Sequence, residues 1–379
     1  MKRNLLLTPG PTQIPPRICA ALGKPIIHHR TPEFQANIKE AIEGLQYVFQ
    51  TKNDVYPLAC SGTGAMEAAV ANLVGPGDKA ITVEGGKFGQ RWTELCKAYQ
   101  AETEVITLEW GTAVKAEQIQ KLLDQDKGVK AVFVTLNETS TGVLTDIKAI
   151  ADIVKSTDAV LVVDAISGLG VVDLKMDAWG VDVVVSGSQK GFMLPPGLAF
   201  IAVNDKAYQV MEGCSNPRYY FDLRKAKKAF QKTDTAFTPA IGIIIALNEA
   251  LKMFKEDGLD KLFQYYAKLA QGTRAAAKAI GLEMLASEDC LSNALTAVKI
   301  PESIDGVKLV KIMRDTYGIT IAGGQAQLKG KIIRIAHMGC VDEYDILTGI
   351  SCLEKVLKEL GHDFEMGAGV AAAQKVFNS

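Results

Sequence analysis

The chain has 379 residues, of which 48% are apolar, and a formal net charge of −1, so it is long enough for a large domain and a smaller one with real cores. Its 42 Lys+Arg and 43 Asp+Glu are interspersed, and no basic run marks nucleic acid or an anionic membrane surface as a partner. No apolar stretch approaches the roughly 18 residues that span a bilayer, Met1-Lys2-Arg3-Asn4 carries no secretory pattern, and the scattered Cys19, Cys60, Cys96, Cys214, Cys290, Cys340 and Cys352 form no C-x-x-C pair; the expected setting is a reducing cytoplasm, without zinc, iron–sulfur clusters or a disulfide framework.

Thr8-Pro9-Gly10-Pro11 and Pro15-Pro16 predict an extended arm over residues 1–16, since proline fixes φ and cannot continue a helix. Phe34, Ile38, Ile42, Leu45 and Phe49 recur at helical spacing and predict an amphipathic helix over Glu33–Gln50. Short apolar runs then alternate with helical stretches. The predicted strands are Val55–Cys60, Ala80–Val83, Ala131–Leu136, Ala159–Val163, Val181–Val185 and Leu198–Val203. Between them lie helices over Gly64–Leu73, Gln90–Tyr99, Ala116–Gln125 and Ile147–Ser156. The strands are rich in β-branched residues and mostly apolar on both faces, as in a largely parallel sheet covered on both sides, so the fold class is α/β. Ala240–Ile280 reads as helix broken near Asp257-Gly258. It leads to a small α+β layer with strands Asn293–Ile300 and Ile332–Ala336 and helices Gly306–Tyr317 and Glu343–Leu360. The expected division is an arm (1–16), a large domain (17–256) and a small C-terminal domain (257–379), whose tail from about 361 offers no readable chemistry.

Ligands of open α/β sheets bind beyond the carboxyl ends of the strands, and the unusual residues collect there. Ser61-Gly62-Thr63-Gly64 runs from a strand straight into a helix. It offers N–H groups and hydroxyls to a phosphate, or serves only as a tight turn that needs glycine. Phe88, between Gly86 and Gly89, either tucks under the sheet or presents a flat face to a planar ligand. Asn137 to Gly142 is a cluster of hydrogen-bonding side chains that also suits a turn and helix cap. Asp164 follows four apolar residues, and a carboxylate buried there needs a cation such as a protonated pyridine, unless it is a helix cap. Ser186-Gly187-Ser188-Gln189-Lys190 ends the next strand. A lysine held there can stay uncharged and form a Schiff base, although lysines are more commonly solvent-facing. Buried amine, carboxylate, phosphate turn and planar platform together are what pyridoxal 5'-phosphate requires of a protein.

From Thr8 to Gly339 the chain resembles the fold-type I, class V aminotransferases, most closely the alanine–glyoxylate, serine–glyoxylate and serine–pyruvate enzymes. The motifs that carry the resemblance are Ser61 to Ala69, Gly89-Gln90-Arg91, Ser140-Thr141-Gly142-Val143, Val163-Asp164, Ser186 to Lys190 and Arg334-Ile335. The resemblance implies a mostly parallel seven-stranded sheet between helices and a smaller C-terminal domain. Lys190 corresponds to the lysine that holds the cofactor aldehyde, Asp164 to the partner of the pyridine nitrogen, and Phe88 to the ring-stacking aromatic, often tryptophan in relatives. Thr139 falls where a hydroxyl meets the phenolic oxygen. Ser61, Gly62, Thr63 and Gln189 fall at the phosphate cup, where relatives often carry histidine in place of Thr63. Thr235 and Thr238 are alternatives for the residue that completes the cup of a neighbouring subunit. Arg334 corresponds to the clamp for the substrate carboxylate, which suits a guanidinium fork, and Gly10 belongs to the arm that lines the pocket. The implied reaction moves an amino group from alanine or serine to glyoxylate or pyruvate by a ping-pong route, in a homodimer with shared sites. Rival readings are a transaminase for a 2-aminoethylphosphonate-type substrate, a class V cysteine desulfurase or lyase, and a non-catalytic subunit of a larger complex. The desulfurases that resemble this fold usually place histidine before the lysine and over the ring, where this chain has Gln189 and Phe88.

Overall fold

The computed structural model describes residues 4–379. Its centre is a seven-stranded sheet of β2 (Asp54–Leu58), β3 (Lys79–Glu84), β4 (Glu102–Thr107), β5 (Val129–Thr135), β8 (Val160–Asp164), β9 (Val183–Gly187) and β10 (Ala199–Val203), in the order β2-β10-β9-β8-β5-β3-β4. The pairs linked by helical crossovers are parallel. Strand β10 follows β9 after a loop over residues 188–198 with no crossover helix, and runs antiparallel to both its neighbours. β8, β9 and β10 are buried along their whole length, because helices cover both faces.

On one face lie α2 (Pro32–Phe49) and α10 (Ile241–Asp257), with Phe34, Ile38, Leu45, Leu247 and Phe254 in one apolar cluster. On the other lie α3 (Gly62–Leu73) and α4 (Lys87–Ala98), with Met66, Val70, Trp92 and Phe133 in a second. Strand β4, absent from the strands predicted by apolar runs, lies at the sheet edge; Glu102, Glu104 and Thr107 are exposed, so only part of it carries an apolar signature. Helix α3 begins at Gly62, two residues earlier than its apolar pattern predicts, with Ser61 as its N-cap.

Gly258, at φ +80°, breaks the long helical region into α10 and α11 (Leu259–Ala279), where the sequence predicts the break. A three-stranded sheet follows, β11 (Leu295–Lys299), β14 (Ile332–Ala336) and β13 (Ala322–Gly323), with α12 (Gly306–Tyr317) and α13 (Glu343–Glu359) against it. The arm joins this layer: β1 (Leu5–Leu6) pairs in parallel with β12 (Ile319–Thr320), and the Leu7 carbonyl accepts from Ala336 N at 2.9 Å. Leu5 and Leu7 are buried in the C-terminal apolar cluster. The tail forms α14 (Ala368–Phe377), which lies on α11 with the Phe377 ring over Gly272. Among the described residues no helix is long and apolar enough to cross a membrane, and none of the seven cysteines is paired with another.

Candidate active site

Lys190 stands at the end of β9, in a turn fixed from several sides. Ser188 Oγ donates to the Pro195 carbonyl at 2.7 Å and accepts from Leu198 N at 3.2 Å. The Lys190 carbonyl accepts from Thr12 Oγ1 and from Met193 N, each at 3.0 Å. Its amine donates to the carbonyl of Pro9, so the arm covers the lysine. Gly10 sits at φ +107°, and a Cβ there would overlap the end of the Lys190 side chain, which leaves glycine as the residue that fits. Burial pushes the Lys190 amine down to about 8; the charge of Asp164 opposes this, and Arg334 and Arg91 add to it.

Asp164 ends the neighbouring strand β8 and is 3% exposed. One carboxylate oxygen accepts from Ile166 N at 2.8 Å. Burial pushes its carboxyl up to about 7, partly offset by that hydrogen bond. Such a group gains most from a cation, and the charges of Arg91 and Lys190 already pull in that direction.

The turn Ser61-Gly62-Thr63 opens α3. The Ser61 side chain caps no N–H, so the first turn keeps donors without helical partners. A Cβ built on Gly187 would lie 3.3 Å from Gln189 Oε1 and 3.7 Å from Gly62 Cα, so the carboxamide and the helix N-terminus face one space. Gln189 Oε1 is buried there without a hydrogen-bond partner. An uncapped helix N-terminus and an unsatisfied carboxamide, whose ends exchange by rotation, fit a phosphate group. With the amine and carboxylate beyond the adjacent strand ends, the residues fit a phosphorylated pyridine aldehyde.

Phe88 lies in the first turn of α4, half-buried, with the Arg91 guanidinium 4.9 Å from its ring centre. The loop after β5 forms a hairpin of β6 (Asn137–Glu138) and β7 (Val143–Leu144). In it Thr139 Oγ1 meets Ser167 Oγ at 2.6 Å, and Ser167 Oγ accepts from Asn137 Nδ2 at 2.7 Å. Arg334, 5% exposed on β14, donates to the Gly323 carbonyl from Nε (3.0 Å) and Nη2 (2.8 Å) and to the Thr139 carbonyl from Nη1 (2.8 Å). Each Nη keeps one further hydrogen for a ligand. Burial pushes its guanidinium down to about 10, with the Glu138 charge opposing.

Thus Gly10, Asp164 and Arg334 all have contacts or charge coupling that converge on Lys190, while Gln189 borders the Ser61–Gly62 turn. Thr235 and Thr238 lie in the loop before α10. Thr235 is buried with its hydroxyl unpartnered, and Thr238 is exposed. Thr12, Glu138 and Ser167 escape a reading of motifs, because their partners lie 178, 50 and 28 residues away in sequence. The cluster Asn137–Gly142 carried the only signal for Glu138.

The sequence profile of the family described as aminotransferase class-V matches residues 5–339. A protein of Synechococcus sp. named soluble hydrogenase, small subunit, is 44% identical over 100% of this chain and 99% of its own length. L-aspartate–glyoxylate aminotransferase of Paracoccus denitrificans is 36% identical over 98% of this chain and 96% of its own. The crystal structure of ureidoglycine–glyoxylate aminotransferase from Bacillus subtilis superposes with a TM-score of 0.96 at 30% identity, covering 100% of this chain and 99% of that one. The lysine, carboxylate and helix N-terminus at one sheet edge have the company of whole-length relatives on the same fold, and the chain belongs to the class V aminotransferases.

Proposed function

We propose that this aminotransferase uses pyridoxal 5'-phosphate to move the amino group of a small amino acid, alanine or serine, to glyoxylate or pyruvate. The observation that carries the reading is the buried Lys190 amine, lowered to about 8 at the end of β9, beside Asp164 at the end of β8. The glyoxylate acceptor is supported by its place in the names of the aspartate and ureidoglycine relatives. The small donor is supported by the arm, which brings Pro9 and Gly10 against the Lys190 amine.

Pyridoxal phosphate, when bound, supplies an electron-accepting ring that withdraws charge from the donor α-carbon. The protein's own residues do the rest. The first turn of α3 and Gln189 would hold the phosphate, and Phe88 would be the aromatic that stacks on the ring. Asp164 holds a proton on the ring nitrogen, which satisfies a carboxylate that burial otherwise disfavours. The remaining N–H groups of Arg334 take the donor carboxylate and fix which bond faces Lys190. Lys190 Nζ, in its uncharged form, would accept the α-proton and return it. Donor and acceptor use this site in turn.

We place the working enzyme in a homodimer. A residue that reaches a neighbouring subunit's phosphate must be exposed on the single chain, which supports Thr238 over the buried Thr235. Absorbance separates an enzyme from a non-catalytic subunit. Protein loaded with pyridoxal phosphate should be yellow and lose that colour on adding L-alanine or L-serine, and a panel of donors that includes L-aspartate against glyoxylate and pyruvate fixes the pair. Protein that takes up no cofactor would sink the proposal. Lys190→Ala should retain no cofactor after borohydride reduction and denaturation, and should transaminate negligibly.

A further inference from the structure

Glu138 is 4% exposed, at the end of β6, and its carboxylate ties together two loops that border the site. Oε2 accepts from the backbone N–H of Phe88 at 3.0 Å and of Gly89 at 2.9 Å. Oε1 accepts from the backbone N–H of Ser140 at 3.0 Å and from its hydroxyl at 2.6 Å. That hydroxyl accepts from Lys87 N at 3.0 Å, which directs its own hydrogen toward Glu138. Three of the four partners are backbone N–H groups that can only donate, which favours the carboxylate form. Burial pushes the carboxyl up, these hydrogen bonds oppose that shift, and the group sits at the N-terminus of α4, where a negative charge is favoured.

The close approach is provided for in the chain. A Cβ on Gly86 would overlap both the Glu138 carboxyl carbon and Ser140 Oγ, yet Gly86 has φ 172°, extended backbone that any residue adopts. Glycine is needed there for space alone. On one side of the link is the first turn of α4, where Arg91 lies over the Phe88 ring, and on the other is Thr139, whose carbonyl takes Arg334 Nη1 at 2.8 Å. The Glu138 charge also acts on both Asp164 and Arg334.

We propose that Glu138 is a positioning residue, which sets the start of α4, with Phe88, relative to the Thr139–Arg334 side of the site and holds a negative charge that acts on Asp164 and Arg334. The proposal rests on the pyridoxal phosphate reading above. It predicts that ring binding and ring protonation depend on Glu138, whereas phosphate binding at the first turn of α3 does not.

The experiment titrates apoprotein with pyridoxal phosphate, with inorganic phosphate as competitor, and follows the visible band of the loaded protein against pH. In Glu138→Gln the amide nitrogen faces N–H donors and the charge is gone. Its dissociation constant for pyridoxal phosphate should rise on the order of tenfold or more, from the loss of charge-assisted hydrogen bonds. The pH midpoint of the visible band should fall, because an anion that favours the protonated form has been removed. Competition by inorganic phosphate should stay as in the wild type. Ser140→Ala keeps the charge and loosens the link, so it should weaken cofactor binding by a smaller factor and leave the midpoint in place. A Glu138→Gln protein with wild-type affinity and midpoint would overturn the proposal, as would equal loss of phosphate and cofactor binding. If Glu138→Gln fails to fold, unchanged cofactor affinity in Ser140→Ala overturns it. Wild-type protein that takes up no pyridoxal phosphate would instead overturn the aminotransferase reading, so the two failures are distinct.

Discussion

Burial moves the two titratable groups at the ends of β8 and β9 in opposite directions: Asp164 up to about 7 and Lys190 down to about 8. The Lys190 shift brings the amine nearer to the uncharged state its chemistry uses, whereas the Asp164 shift opposes the carboxylate form and has a cost in stability. The unfolded carboxyl titrates near 3.8 and the folded one near 7, so in between the folded state binds more protons than the unfolded state. Stability therefore falls as pH rises through that window and levels off above it. Asp164→Asn removes the penalty. The apoprotein of this variant should be more stable than wild type in urea, with a gain larger at about pH 8 than at about pH 5 by on the order of 2 kcal/mol. A gain that shrank with rising pH would contradict the assignment. At this scale much of the candidate site was legible. Asp164 and Ser61 are marked by standing directly after apolar runs, and Lys190 by closing the Ser186–Lys190 segment after another, a pattern local to the sequence. Glu138 and Thr12 are not, because what gives them meaning is a hydrogen bond to a residue the fold brings near.

Elements buried on both faces were the easiest to read, and those with one wet face the hardest. Val160–Val163, Val183–Val185 and Ala199–Val203 in β8, β9 and β10 are unbroken apolar runs, whereas Glu102 and Glu104 broke the pattern of β4. Helix α14 was hidden for another reason. Its alanines carry little periodic signal, and what fixes it is a carboxylate on another helix. Glu354, 2% exposed on α13, accepts from Gly367 N at 2.8 Å, Gly369 N at 2.7 Å and Val370 N at 3.2 Å, and so caps the start of α14. Glu354→Ala leaves these N–H groups without that acceptor and should cost about 2 kcal/mol in denaturant unfolding. Hydrogen exchange should show α14 opening first, while cofactor uptake stays at the wild-type level, since α14 packs on α11 and α13.

At the scale of the whole molecule, a homodimer with shared sites makes a prediction that no single chain can. On the proposed dimer, Lys190→Ala and Thr238→Ala should each disable both sites of their own dimers, the second by weakening phosphate binding. In a mixed dimer the two defects fall together in one site and leave the other with a native Lys190 and the partner's native threonine. Mixing the two variants under conditions of subunit exchange should therefore recover activity, up to half that of the wild-type dimer in each mixed pair. No recovery with proven exchange would return Thr238 to an ordinary surface residue. The arm has a consequence of a different kind. Leu5 pairs with Ile319 and Leu7 with Ala336, and the intervening chain then lays Pro9 and Thr12 on Lys190. Contacts between residues so far apart in sequence form late, because the loop they close must be ordered first. During synthesis the segment that covers the lysine cannot take its seat until the C-terminal sheet has been made. A nascent chain with its large sheet already folded thus holds the reactive amine uncovered, and the last third of the polypeptide decides when the site is closed.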